Sequence, residues 1–230
     1  LTCKLTVVNN SVLIIDHNNK NVATIGTADI ENGTLDIIIP QYVSTELLNI
    51  IGETVYPDVN TLEDNIEYAL LNGGKRLRPV LLYMTLDMLG IPKDKGDSLA
   101  SAIEMIHSYS LVHDDLPALD NDEYRRGKLT THKVYGEANG ILIGDSLLTY
   151  AFFIASTKSS NIDSDKLIKI LGLISEYSGV QGMIGGQVVD IESEGKIVDL
   201  DTLQYIHAHK TGRLIRLPIE IEIGRASCRE

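Results

Sequence analysis

The hydrophobic pattern of this 230-residue chain changes near Pro40, and that change decides which folds are open to it. Beyond Pro40, apolar residues recur every three or four positions, the spacing that places them on one face of a helix. Leu62, Ile66 and Leu70 show this spacing first, and the pair Gly73-Gly74 predicts the end of that helix. The larger part of the chain is therefore predicted to be all-α.

The same periodicity predicts a series of further helices. Pro79 is tolerated in the first turn of the next helix, and Asp97 is placed to cap the long one that follows. The predicted helices cover residues 77–89, 97–114, 136–157, 163–177, 180–193 and 200–217.

The two ends of the chain follow other patterns. Residues 1–40 hold short β-branched runs, with Asn32-Gly33 as a hairpin signal, and predict a small β-rich N-terminal segment. Residues 222–230 lack helical periodicity and resemble a translated sequencing adaptor, so we interpret them as a non-native tail. Residues 41–221 then form the main domain.

Composition excludes several classes of protein. A formal net charge of −12 argues against nucleic-acid binding, which needs a basic face. Cys3 and Cys228 lie at opposite ends of the chain and favour a reducing cytoplasm over a disulfide framework. The chain opens without an export signal, and the apolar stretch from Ile141 to Ala155 is interrupted by Asp145. We expect that stretch to be too short to span a bilayer, which predicts a soluble protein with no stable membrane anchor.

The strongest chemical signal is a cluster of acidic residues at the end of an apolar helix. Asp114, Asp115, Asp120 and Asp122 fall within nine residues, and their mutual repulsion calls for a neutralising cation. Oxygen ligands suit hard divalent ions, and Mg²⁺ binds through one or two carboxylates together with phosphates and waters. Pro117 interrupts the helix and lets Asp120 fold back toward Asp114. A solvated acidic helix end is the alternative.

Two basic clusters accompany the carboxylates. Arg125 and Arg126 follow them directly, and paired arginines suit bidentate recognition of diphosphate, although such a pair also serves in surface salt bridges. The run from Gly73 to Pro79 combines flexible glycines with basic residues before a helix N-terminus, an arrangement open to anions. His107 precedes Asp114 by two helical turns, so both share one face; a structural histidine is the alternative.

The order and spacing of these segments closely resemble the trans-prenyl diphosphate synthases. The likeness runs from about residue 43 to residue 221 and implies the isoprenoid synthase helical bundle, a fold to which the strands of residues 1–40 are foreign. The matching segments are Gly73–Pro79, Glu104–Asp120, Arg125–Gly127, Gly144–Ser146, Gly185–Asp190 and His209–Gly212.

The resemblance implies roles for individual residues. Asp114, Asp115 and Asp120 match the first aspartate-rich motif, which holds Mg²⁺ against the allylic diphosphate. Arg125 matches the arginine of the same diphosphate, and Lys210 with Thr211 matches a pair beside it and the developing cation. The residues that match the isopentenyl diphosphate site are Lys75, Arg78, His107 and Arg126, while Gln187 and Asp190 match residues lining the cavity.

The implied reaction condenses isopentenyl diphosphate with dimethylallyl or geranyl diphosphate. Tyr109 and Ser110 precede the first aspartate by five and four residues, where the family controls chain length. In the family, an aromatic residue at that point together with an aspartate motif that is two residues longer, as in Asp114–Asp120, goes with bacterial-type farnesyl diphosphate synthases, so farnesyl diphosphate is the expected product. Geranylgeranyl diphosphate or another short-chain product is the alternative, and relatives are commonly homodimers.

One part of the family pattern is not matched. Nothing after Arg213 resembles the second aspartate-rich motif, which predicts a helical bundle that is incomplete at the C-terminus. An inactive fragment and a non-catalytic subunit of an active partner are therefore further alternatives. A phosphohydrolase using His113 and Asp114 would need more histidines at suitable spacing, and His132, His207 and His209 do not form that set.

Overall fold

The structure is a computed structural model that describes the backbone of residues 4–8, 11–15, 21–29, 34–37 and 60–226. The first four segments form an antiparallel meander, in the order β1 (Lys4–Val8), β2 (Ser11–Ile15), β3 (Asn21–Asp29) and β4 (Thr34–Ile37). These strands are the predicted β-branched runs, and the pairing of β2 with β3 is bulged at two points. The hairpin signal Asn32-Gly33 lies outside the described residues, and a domain boundary at residue 40 stays a prediction.

The rest of the described chain is helical, as the 3.6-residue periodicity predicts. A two-stranded ribbon, β5 (Tyr124–Arg125) with β6 (Lys128–Leu129), interrupts the helices. The helices are α1 (Asn60–Leu71), α2 (Leu77–Met88), α3 (Asp97–Asp114), α4 (Thr131–Tyr135), α5 (Glu137–Thr157), α6 (Ser164–Ser178), α7 (Met183–Ser193), α8 (Leu200–Ile206) and α9 (Arg213–Ala226).

Helix α3 lies at the centre of the core, and twelve of its eighteen residues are buried. Its fully buried Ile103 and Ile106 join Leu147 and Ile154 of α5 in one hydrophobic cluster. Leu214 and Leu217 of α9 belong to the same cluster. The C-terminal end of α3, which carries the aspartates, is thereby fixed by packing on several sides.

Three local features differ from the predictions. Gly96, not Asp97, takes the N-cap position of α3, and the Asp97 carboxylate instead accepts a hydrogen bond of 2.8 Å from the Tyr83 hydroxyl. The predicted helix over 200–217 is divided by a π-helical segment, His207–Gly212. Helix α9 continues to Ala226, five residues past the point where helical periodicity was expected to stop, and it buries Glu222.

Helix α5 also changes one expectation. Its 21 residues extend beyond the apolar stretch at both ends, and by length and composition alone the helix could cross a membrane. This corrects the expectation that the segment is too short. Core helices pass the same test, and α5 contributes five fully buried side chains to the core, so packing inside the protein accounts for part of its hydrophobicity. The cytoplasmic location stays a prediction.

Candidate active site

The chain reverses at the end of α3 and returns toward it. Asp114 is the last helical residue, and the backbone N–H of Asp120 donates a 2.9 Å hydrogen bond to the Asp114 carbonyl. The reversal therefore brings Asp120 back to Asp114, as the position of Pro117 predicts.

Asp114 is a half-buried carboxylate with too little positive charge around it. Burial raises its pKa to about 6, with Asp120 and Asp115 adding to the rise and Lys210 and Arg125 opposing it. Its Oδ1 accepts a hydrogen bond of 2.8 Å from Gln187 Nε2 on α7. A cation at this point would relieve both the burial and the repulsion.

Asp115 is held differently, because Arg125 occupies both of its oxygens. Arg125 Nε lies 2.7 and 2.9 Å from the two oxygens, and one terminal nitrogen lies 2.5 Å from Oδ1. This pairing raises the pKa of Arg125, while Asp122 lies further out at 3.6 Å. Two residues predicted to bind different groups, metal and diphosphate, thus bind each other here.

The carboxylates that remain open for a metal are therefore Asp114 and Asp120. Within residues 60–226, no group of three or more His, Cys, Asp or Glu side chains converges as an all-protein metal site. Mg²⁺ does not need one, since it takes one or two carboxylates and fills its shell with phosphate oxygens and water. The pair fits Mg²⁺ bound jointly with an anionic substrate.

A basic cavity of about 470 Å³ lies beside the start of α2. Desolvation lowers the pKa of both Arg78 and Arg126. Neighbouring guanidinium groups add to the effect, since Arg126 lowers the pKa of Arg78 and Arg76 lowers the pKa of Arg126. Burial and four nearby arginines lower the pKa of His107 to about 2, so this histidine is neutral. The cavity brings together all four residues predicted for isopentenyl diphosphate: Lys75, Arg78, His107 and Arg126.

Arg126 reaches this cavity from a strained turn. Arg126 and Gly127 form the two-residue connection between β5 and β6, with φ of 54° and 79°. Both values belong to a type I′ turn, in which a side chain larger than Asn is unusual at the first position. The Arg126 guanidinium donates to the Gly73 carbonyl, and a Cβ at Gly74 would collide with it.

A second, largely apolar cavity of about 560 Å³ adjoins the basic one, because Arg78 and His107 line both. Its apolar walls include Leu148, Met183 and Val188. The remaining predicted site residues that line it come from α3, α7 and the π segment: Tyr109, Ser110, Asp114, Gln187, Lys210 and Thr211.

Lys210 and Thr211 belong to the π segment, a type of irregularity that is frequent at functional sites. Lys210 Nζ lies 2.5 Å from Asp190 Oδ2 on α7. A Cβ at Gly186 would collide with the backbone of Lys210, so this glycine allows α7 to approach the segment closely. The role of Lys210 in the site was predicted from the sequence, but the widened helical turn that carries this residue was not.

Tyr109 closes one side of the apolar cavity. Its side chain is 5% exposed, its ring lies 5.7 Å from the His113 ring, and its hydroxyl is buried with no hydrogen-bond partner. Burial and Asp114 raise the pKa of Tyr109 to about 12. The adjacent Ser110 hydroxyl donates back to the His107 carbonyl at 2.8 Å.

Arg76 and Glu104 lie in segments that match the family, but the sequence assigned no role to either of them. They form an ion pair of 2.6 Å with side chains only 3% and 2% exposed, directly behind the basic cavity. The available signal was the position of Glu104, a carboxylate in an otherwise apolar helix three residues before His107.

The fold and the paired cavities define a helical domain in which a group of carboxylates, Asp114, Asp115 and Asp120, lies beside the basic cavity and the apolar cavity. We call this group of carboxylates the carboxylate mouth. The polyprenyl synthetase family model matches residues 59–228, and the chain belongs to that family.

Individual relatives agree with this placement. The chain is 45% identical over 181 residues to a farnesyl diphosphate synthase of Micrococcus luteus, covering 77% of this chain and 62% of the relative. It is also 45% identical to a geranylgeranyl diphosphate synthase of Cyanophora paradoxa, covering 68% and 52%. A crystal structure of a geranyltransferase from Legionella pneumophila superposes with a TM-score of 0.78 at 35% identity, covering 80% and 65%. The chain thus spans about half to two thirds of the length of these proteins.

Proposed function

We propose that the protein containing this chain is a trans-prenyltransferase that condenses isopentenyl diphosphate with dimethylallyl or geranyl diphosphate to give farnesyl diphosphate. One observation carries the proposal: a basic cavity and a carboxylate-edged apolar cavity meet at Arg78 and His107. Such a pair of cavities suits two substrates that each carry a diphosphate and whose hydrocarbon parts must meet.

The basic cavity would bind the diphosphate of isopentenyl diphosphate. Arg78 and Arg126 both place positive charge at the cavity, desolvation lowers the pKa of each, and the buried Arg78 Nε has no hydrogen-bond partner. Lys75 adds a third cation from the loop, and the neutral His107 can offer a ring N–H. An anion entering the cavity would compensate this charge by charge-assisted hydrogen bonds.

The allylic diphosphate would lie at the carboxylate mouth. Asp114 and Asp120 would hold Mg²⁺ there, and Asp115 would join them or hold Arg125 in place. When bound, Mg²⁺ supplies charge neutralisation of the leaving diphosphate. Arg125, Lys210 and Thr211 would contact the same group from the protein side, with Gln187 fixing the orientation of Asp114.

The reaction follows from this arrangement of charges. The allylic C–O bond breaks, diphosphate leaves with the electron pair, and an allylic cation remains in the apolar cavity. The double bond of isopentenyl diphosphate attacks that cation, and transfer of a proton to the released diphosphate gives a product longer by five carbons. The walls formed by Leu148, Met183 and Val188 would exclude water that could trap the cation.

The decisive experiment is a turnover assay of the full-length gene product with labelled isopentenyl diphosphate and each allylic starter, with and without Mg²⁺. Magnesium-dependent formation of a longer prenyl diphosphate supports the proposal. No turnover with any starter would contradict it and would favour a non-catalytic subunit. Sedimentation of the same protein tests the homodimer that belongs to the proposal.

Product length is the second question, and the Cyanophora paradoxa relative gives specific support to a geranylgeranyl product as the alternative. The buried ring of Tyr109 favours farnesyl diphosphate, because it closes the cavity along the helix that leads away from the aspartates. Tyr109→Ala should shift the main product from fifteen carbons to twenty or more, as measured by chromatography of the dephosphorylated products. Tyr109→Phe is the control and should keep the original product.

A further inference from the structure

The ion pair between Glu104 and Arg76 lies behind the basic cavity and is almost fully buried. Arg76 Nη1 lies 2.6 Å from Glu104 Oε1, and Arg76 Nη2 donates a 2.6 Å hydrogen bond to the Leu70 carbonyl. The arginine thereby connects the middle of α3 to the last turn of α1. Neither residue has a role in the function proposed above.

Glu104 is chemically exceptional in its surroundings. Among the described residues that line the basic cavity, it is the one carboxylate, and it faces several guanidinium groups. Its negative charge raises the pKa of Arg78 and of Arg126, both of which burial lowers. Its second oxygen, Oε2, is buried without a hydrogen-bond partner.

The backbone conformation of Arg76 connects the ion pair to the shape of the basic cavity. Arg76 is left-handed, with φ 46° and ψ 34°, at the N-cap of α2. A non-glycine residue adopts this conformation when its surroundings hold it there. Here its side chain is held by Glu104 at one nitrogen and by the Leu70 carbonyl at the other. The left-handed residue lies between Lys75 and Arg78, so its conformation sets the direction in which both enter the cavity.

We propose that Glu104 is a positioning residue for the diphosphate site: through Arg76 it fixes the left-handed turn that aims Lys75 and Arg78 at the non-allylic diphosphate. The proposal rests on the proposed function for the identity of the substrate. The competing explanation is that the pair only stabilises the fold, with no effect on binding.

Three variants separate positioning from stability. Glu104→Gln keeps an oxygen acceptor for Arg76 and removes the charge. Glu104→Leu removes both and leaves Arg76 buried and unpaired, which is strongly destabilising. The double variant Arg76→Met with Glu104→Leu replaces the pair by apolar side chains of similar size, an exchange that often leaves a fold as stable as before.

The full-length protein is assayed for thermal unfolding, for kcat, for both KM values, and for calorimetric binding of inorganic diphosphate. We expect Glu104→Gln to keep the KM for isopentenyl diphosphate within about threefold of wild type. The double variant should unfold near the wild-type temperature. Its KM for isopentenyl diphosphate and its Kd for inorganic diphosphate should each rise about tenfold or more, because one charge-assisted contact is lost. The allylic KM should stay within about twofold.

A double variant that recovers both the unfolding temperature and the KM would overturn the proposal, since the pair would then be purely structural. A stably folded Glu104→Gln variant as impaired as the double variant would also overturn it, because charge and not geometry would matter. Failure of Glu104→Leu alone to fold leaves the test intact, since the other two variants carry it. If wild type binds diphosphate but never condenses prenyl substrates, the proposed function fails while the binding comparison still decides the role of Glu104.

Discussion

At the carboxylate mouth, Asp114 is half-buried, and desolvation together with neighbouring carboxylates raises its pKa to about 6. In the basic cavity, His107 is half-buried, and desolvation together with four arginines lowers its pKa to about 2. Desolvation thus disfavours the charged form of a carboxylate at the carboxylate mouth and of a histidine in the basic cavity. The described side chains leave excess negative charge at the mouth and excess positive charge in the basic cavity. The carboxylate mouth therefore calls for a bound cation, and the basic cavity calls for a bound anion.

This difference in charge predicts that the two parts of the site contribute to different kinetic steps. A substrate diphosphate supplies negative charge, and Mg²⁺ supplies positive charge. The carboxylate mouth needs the metal in order to bind a diphosphate, whereas the basic cavity does not. Changes at the mouth should therefore act on the chemical step, and changes in the basic cavity on binding of one substrate.

The largest effect is expected at the mouth. Asp114→Asn or Asp120→Asn in the full-length protein should lower kcat about a thousandfold, because metal-ion stabilisation of a transition state contributes several kcal/mol. Steady-state kinetics with saturating Mg²⁺ measures this. Asp201→Asn, on the exposed surface of α8, is the matched control and should leave kcat unchanged. Turnover that survives in both mouth variants would contradict the metal assignment.

A smaller effect, on a different parameter, is expected in the basic cavity. Arg78→Met should raise the KM for isopentenyl diphosphate about tenfold to a hundredfold with kcat nearly constant, since one charge-assisted hydrogen bond is lost. Its unfolding temperature should not fall, because the substitution removes a buried charge whose Nε has no partner. Lys169→Met on the exposed face of α6 is the control. If Arg78→Met lowered kcat without raising this KM, the proposed distinction between the carboxylate mouth and the basic cavity would be wrong.

The smallest effect concerns stability and pH. His107 takes up a proton in the unfolded chain below about pH 6.5, but burial and the arginines keep it neutral in the folded protein down to about pH 2. The unfolded state therefore binds more protons as the pH falls, and stability is lost in that direction. Between pH 7 and pH 5 wild type should lose about 2 kcal/mol of unfolding free energy more than His107→Asn does.

Denaturant titrations of wild type and His107→Asn at both pH values measure the difference. Because the variant retains the aspartates, whose raised pKa values act in the opposite sense, the comparison isolates the histidine. Equal losses in the two proteins would mean that His107 takes up its proton in the folded state as well, and that the arginines do not surround it as described.

Much of the fold was predictable, because helices of this kind follow from hydrophobic periodicity. The spacing of Leu62, Ile66 and Leu70 predicts α1, and Pro117 predicts the reversal that returns Asp120 to Asp114. The gathering of residues far apart in sequence, such as His107 and Lys210, on one cavity followed only from the family resemblance. Their catalytic and binding roles stay predictions.

Features that depend on tertiary contact were not predictable. Arg76 and Arg126 adopt left-handed conformations where sequence rules favour glycine or asparagine, because anchored side chains override local preference. The π segment depends on how closely α7 approaches at Gly186, which no local pattern encodes. The pairing of Asp115 with Arg125 was not predictable for a related reason: the two residues are ten positions apart and meet only in the folded chain.

The tight turn between β5 and β6 has a mechanical consequence. Arg125 and Arg126 are consecutive, so their Cα atoms are held about 3.8 Å apart by covalent geometry alone. Arg125 reaches the Asp115 carboxylate, and Arg126 reaches the Gly73 carbonyl. The turn therefore keeps the two backbone positions at a constant separation, so a displacement of the whole ribbon would carry both arginines with it.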